Sequence, residues 1–144
     1  MPSFSIQSAE KLNTCDLRLQ NLFNEVIKTY DCTIIEGHRS EEDQQKLFNA
    51  GRTKVLHSNH NFSPSRAVDV APYIESIHGI PWPSNFDLGS VSRQKATAQF
   101  YHFAGYVQAL AVRMGISIRW GGDWDRDHYF SDQTFDDLVH FELI

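Results

Sequence analysis

The segment Ala67-Val68-Asp69-Val70-Ala71 limits what this chain can become more than any other five residues. Its alternation, closed by Pro72, reads as a strand that sends Val68 and Val70 to one face and Asp69 to the other. A carboxylate carried into such an apolar interior costs several kcal/mol unless something pairs with it. The small alanines on either side of Asp69 share its face and leave space beside it. The fold must therefore bring a cation, a metal or water to this strand.

The remaining pattern supplies a scaffold. Leu19, Leu22, Phe23, Val26, Ile27 and Tyr30 recur at steps of three and four, which predicts an amphipathic helix ending near Asp31. Cys32 to Glu36 is a β-branched run closed by Gly37, and so a strand; Ser40, with Asp43 three residues on, is the N-cap of a second helix that carries Leu47 and Phe48 and stops at Gly51. Residues 52–64 are polar and turn-rich. Ala96, Phe100, Phe103, Val107, Leu110, Ala111 and Met114 trace a long helix closed by Gly115, on which most of the core should pack. Ile116, Ile118 and Trp120 alternate as a strand broken by Gly121-Gly122, and residues 140–144 form a last one. Helices and strands mix without βαβ regularity. The expected class is α+β, a small antiparallel sheet packed with helices.

A chain of 144 residues, 41% of them hydrophobic, has room for one core, so a single domain over 1–144 is expected. Eighteen acidic against thirteen basic residues give a net charge of −5, the wrong sign for tracking a phosphate backbone, and no nucleic-acid partner is expected. No apolar run approaches the ~18 residues of a membrane span and the N-terminus lacks a signal pattern, so neither membrane insertion nor export is expected. Cys15 and Cys32 are too few for a disulfide framework and read as reduced and buried.

His60 lies in a polar loop before the Asp69 strand, and His140 falls on the strand face opposite Phe141 and Leu143. Two imidazoles and a carboxylate are a common ligand set for catalytic zinc. Seven histidines among eighteen acidic residues also yield chance pairs, and before any family likeness the prevailing reading of each is a hydrogen-bonded or exposed side chain. Asp137 stands ~10 Å from His140 if the segment is extended, but ~5–6 Å away on a helical turn. Bent, it reaches a water beside His140; otherwise it is a turn carboxylate next to Asp136. Asp123, Asp125 and Asp127 begin like a calcium loop, but His128 replaces the loop glycine and Thr134 its glutamate, which leaves a looser divalent-ion site or a solvated acidic turn. Of Trp120, Trp124 and Tyr129, Trp124 is the one expected to line a groove.

Taken in order, Ser58-Asn59-His60, Ala67-Val68-Asp69 and the segment from Asp137 to Leu143 resemble the zinc peptidases of the D-Ala-D-Ala carboxypeptidase and dipeptidase group, with its hedgehog-like fold. They resemble above all the single-domain phage endolysins that act as L-alanyl-D-glutamate endopeptidases. Gly37-His38-Arg39-Ser40 is similar to the family's arginine-serine turn, and Trp120 to Trp124 to the segment before its final motif. The likeness runs from about Ile34 to the C-terminus.

This resemblance implies zinc on His60, Asp69 and His140, Asp137 as general base, and Arg39 on the substrate carbonyl or oxyanion. It also implies that Ser58 supports the substrate or the His60 loop; Trp124, read from the aromatics near the acidic turn, is the residue expected to contact substrate along the groove. The spacing from His60 to Asp69 is nine where the family commonly has seven, which makes His57 a rival ligand; the Ser-x-His context favours His60. The implied activity is hydrolysis of the L-Ala to D-Glu bond of peptidoglycan stem peptides for host lysis. A D-Ala-D-Ala carboxypeptidase or dipeptidase and a non-catalytic wall-binding module are the other readings. The lack of an export signal favours a monomeric endolysin that waits in the host cytoplasm until the membrane is opened. With no separate wall-binding domain, affinity must come from the groove itself, aided if Arg39, Lys46, Arg52, Lys54 and Arg66 cluster around it.

Overall fold

Four strands, β1 (Cys32–Glu36), β2 (Ala67–Pro72), β3 (Ile118–Gly121) and β4 (Asp137–Leu143), pair throughout in antiparallel fashion in the order β1-β2-β4-β3. The computed structural model describes residues 1–144. Four helices complete it: α1 (Ile6–Leu12), α2 (Leu17–Val26), α3 (Glu41–Asn49) and α4 (Val91–Arg113). Alternation along β2 and β4 separates two faces. Val68, Val70 and Phe141 enter the core with Leu19, Leu22, Phe23 and Val26 of α2 and Phe103, Ala104 and Val107 of α4. Burying each large apolar side chain contributes about 1.5–3 kcal/mol, so this face fixes which side of the sheet the helices cover. Asp69, His140 and Glu142 occupy the other face.

The expected α+β class, with its small antiparallel sheet, is what the structure shows. Ser40 caps α3 by accepting from the Asp43 amide, and Gly51 follows α3 at φ +70°, a backbone angle that glycine adopts without strain. Three helices differ from the sequence expectation, and β4 begins at Asp137, ahead of the expected start at His140. The sequence pattern does not announce α1, because only Ser8 and Leu12 of its seven residues are buried and so short a helix has no apolar period to read. α2 ends at Val26, and the last residues of its stripe continue in tight turns, with the Tyr30 amide bonded to Val26 O. α3 leaves Phe48 exposed and buries Gln44 instead, a polar anchor whose partners lie at the functional face. No helix is long and apolar enough to cross a membrane.

Cys15 and Cys32 are free and buried. Burial pushes the Cys15 thiol up to about 11, and also raises that of Cys32. Both should therefore resist a thiol reagent at neutral pH in the native protein and react fully after denaturation. An Ellman titration that finds a fast native thiol would contradict this packing.

Candidate metal centre and its cleft

Asp69 and His140 sit directly opposite each other on β2 and β4, which places their side chains together on the uncovered face. His140 Nδ1 lies 3.2 Å from Asp69 Oδ1. His60 arrives from a 3-10 turn, Asn59–Asn61, whose start is closed by a reciprocal cap. Ser58 Oγ accepts from the His60 amide at 3.2 Å, and Asn61 Oδ1 accepts from the Ser58 amide at 2.8 Å. The cap presents His60 Nε2 at 3.1 Å from the same Asp69 Oδ1. One donor atom from each of the three residues lies within 4.8 Å of the others.

The outer edge of each imidazole decides what the inner edge offers. His60 Nδ1 is 2.7 Å from Gly37 O, an atom that can only accept, so this nitrogen carries the proton. His140 Nε2 is 2.8 Å from Glu142 Oε1 and donates to that carboxylate. In neutral histidines both inner nitrogens are then bare, and two lone pairs and a carboxylate oxygen converge on one point. Such an arrangement is self-repelling unless a cation stands at its centre or the imidazoles are protonated. Burial alone would lower His140, but its bonds to Asp69 and Glu142 outweigh burial and raise it to about 9. Burial would raise Asp69, yet the His140 and His60 bonds hold its carboxyl well below the usual range. Both shifts report the same demand for positive charge. The donor set fits a divalent metal, with nitrogen and oxygen ligands supplied by a rigid sheet and a capped turn.

Glu142, missed by sequence reading, joins the elements that carry the two histidines. Its Oε1 takes the His140 proton donor, while Oε2 accepts from Asn59 Nδ2 at 2.7 Å and Arg119 Nη2 at 2.9 Å. Burial opposes its ionisation, but the His140 and Arg119 bonds lower it to about 2. The available signal was simple: two residues beyond His140 on one strand, it must share His140's face.

Around this centre opens a cleft of about 1030 Å³. Asp137 lines it, but from a strand and not from the helical turn that spacing alone would need. Pairing jumps from Trp120 opposite Phe141 to Gly121 opposite Asp137, so Leu138 to His140 bulge out of register and re-aim the residues around them. Gly121 permits the close approach, since a Cβ there would stand 2.2 Å from Asp137 O. Burial, reinforced by the charge of Asp69, raises the Asp137 carboxyl above its ordinary value.

Arg39 also borders the cleft, with a partner that sequence reading missed. Its Nε and Nη2 donate to the two oxygens of Glu36 at 2.8 and 2.6 Å, and Nη1 donates to Gln44 Oε1 at 2.8 Å. Three of the five guanidinium N–H groups are thus committed and two remain. Ser58 lines the cleft as well as capping the His60 turn. Trp124 forms part of the wall, its ring 5.5 Å from that of His140 and stacked on Phe135. Trp120 is core and Tyr129 is exposed away from the cleft. His57 is on the exposed wall and is not brought to Asp69; His38, His78 and His102 lie outside.

Asp123, Asp125 and Asp127 also gather, each with one carboxylate oxygen within 4.8 Å of the others. Asp123 is fully buried; its Oδ2 accepts from the His128 amide at 3.0 Å, and its Oδ1 has no partner. His128, at φ +70°, adopts the left-handed backbone that the loop glycine of a calcium loop supplies.

A model of the phage L-alanyl-D-glutamate peptidase family matches residues 2–144. The peptidoglycan L-alanyl-D-glutamate endopeptidase CwlK of Bacillus subtilis is 27% identical over 127 residues, which cover 81% of this chain and 63% of that relative's length. The crystal structure of the L-Ala D-Glu endopeptidase ChiX of Serratia marcescens superposes with a TM-score of 0.71 at 24% identity, over 99% of this chain and 91% of that one. At that identity the likeness carries the fold.

Proposed function

Since the chain belongs to the phage L-alanyl-D-glutamate peptidase family, we propose that it hydrolyses the L-Ala to D-Glu amide of peptidoglycan stem peptides, with zinc on His60, Asp69 and His140. The observation that carries this reading is the convergence of two bare imidazole nitrogens and one carboxylate oxygen at the floor of a peptide-sized cleft. Held by these three residues, zinc would supply Lewis acidity, the chemistry that lowers the pKa of water to ~7 and polarises a carbonyl.

The protein's own groups do the rest. Asp137, made more basic by burial, takes the proton of the attacking water and returns it to the departing amine. Arg39 offers its two uncommitted N–H groups to the developing oxyanion, and Glu36 with Gln44 keeps the guanidinium from swinging away. Ser58 holds the His60 turn, and the Trp124 and Phe135 ledge supplies an apolar surface for the peptide.

Glu142→Gln should weaken metal binding by about 10–100-fold, because the new side-chain amide would set a donor against groups from which the carboxylate now accepts. Competition with a chromogenic chelator measures this independently of turnover. The Asp123 group is proposed as a second divalent-ion site of oxygen ligands suited to calcium, supported by the buried Oδ1 that lacks a partner. Millimolar calcium should raise the melting midpoint by a few degrees in the parent and not in Asp123→Asn. The reaction itself is tested by mass spectrometry of digested peptidoglycan. New N-terminal D-Glu is the expected product; loss of terminal D-Ala identifies a carboxypeptidase, and an unchanged digest a binding module.

A further inference from the structure

The cleft is charged asymmetrically, and the sheet order explains why. Its β1 side is built by the connection from α3 to the His60 turn, which brings Arg52 and Lys54 to the rim. Its β3 side is built by the connection from β3 to β4, which brings Asp125, Asp132 and the Trp124 ledge. No ion pair forms at Arg52 or Lys54, although eighteen acidic residues are available in the chain.

The cationic side is also held in place. Buried Gln44 donates from Nε2 to Val55 O at 2.8 Å and accepts from Arg39 at Oε1, so one side chain ties the loop carrying Arg52 and Lys54 to the guanidinium at the centre. The Arg52 amide is bonded to Leu47 O, which fastens the other end of the loop to α3.

The two sides of the scissile bond differ in the same way. Toward the L-Ala end the stem is a methyl group and neutral amides. D-Glu, linked onward through its γ-carboxyl, carries a free α-carboxylate on the carbon that bears the scissile nitrogen. Building on the endopeptidase reading, we infer that the Arg52 and Lys54 wall binds the free α-carboxylate of D-Glu, so that the D-Glu side of the stem runs over this wall and the L-Ala side over Trp124 and Phe135. The reverse direction sets the carboxylate against Asp125 and Asp132. The enzyme therefore selects stems with a free D-Glu α-carboxylate over stems amidated to D-isoglutamine, an isosteric change that removes only the charge.

The test uses the zinc-loaded full chain and two synthetic peptides, acyl-L-Ala-γ-D-Glu-diamino acid and its D-isoglutamine counterpart. Wild type should favour the free acid by about tenfold or more in kcat/KM, chiefly through KM, with the ratio shrinking as salt rises. In the double variant Arg52→Gln, Lys54→Gln, both at exposed positions of the rim, the ratio should fall close to one. Equal cleavage of both peptides by wild type, or an undiminished ratio in the double variant, overturns the inference while leaving the endopeptidase reading intact. Cleavage of neither peptide at the L-Ala to D-Glu bond overturns both.

Discussion

Asp137→Asn should keep its metal and lose its catalysis, with kcat reduced by about 10²–10⁴-fold. Asparagine matches the carboxylate in shape, and Asp137 lies outside the group of three donors, so the metal centre is left whole. What disappears is the proton acceptor. The site selects for that role: the carboxyl is half-buried, its basicity is raised by desolvation and then by Asp69, and the β4 bulge sets it on the cleft wall. Metal content and turnover should be measured on the same preparation. A fully loaded Asp137→Asn protein with near-parental kcat would remove the general-base assignment.

His140→Ala should fail differently, losing metal and hydrolysis together. The substitution removes one of three donors and leaves the buried Glu142 Oε1 without its partner, while Asp69 Oδ1 keeps only His60. Leaving a buried acceptor unsatisfied costs about 1–3 kcal/mol, so the metal-free variant should also melt below metal-free wild type. Elemental analysis and thermal melting of the two metal-free proteins separate the lost ligand from the lost packing. Stoichiometric metal in His140→Ala would show that the ion sits elsewhere. The contrast between the two variants is informative because the residues are three positions apart on one strand.

Much of this was legible before any fold was known, for local reasons. Strand alternation put Asp69 opposite two valines, and it does face away from the core. The Ser40 cap and the Gly51 stop are properties of single residues and their neighbours, and they appear where the sequence places them. The illegible parts depend on how the backbone turns and bulges. That Asp137 reaches the cleft from a strand follows from how β4 bulges against Gly121 on the neighbouring strand β3. Glu36 and Gln44 look like ordinary polar positions until the turn after β1 brings Arg39 between them. The His60 proton is fixed by a carbonyl at Gly37, where a Cβ would stand 2.3 Å from Lys11 O. Glu142 alone was within reach of the alternation argument, which stops at His140.

The central claim, that His60, Asp69 and His140 hold one catalytic zinc, is tested most directly by titrating metal-stripped protein with zinc while recording peptidoglycan hydrolysis. Activity should be absent at the start, rise in proportion to zinc and stop rising at about one ion per chain. Full activity in protein shown to contain no metal would contradict it.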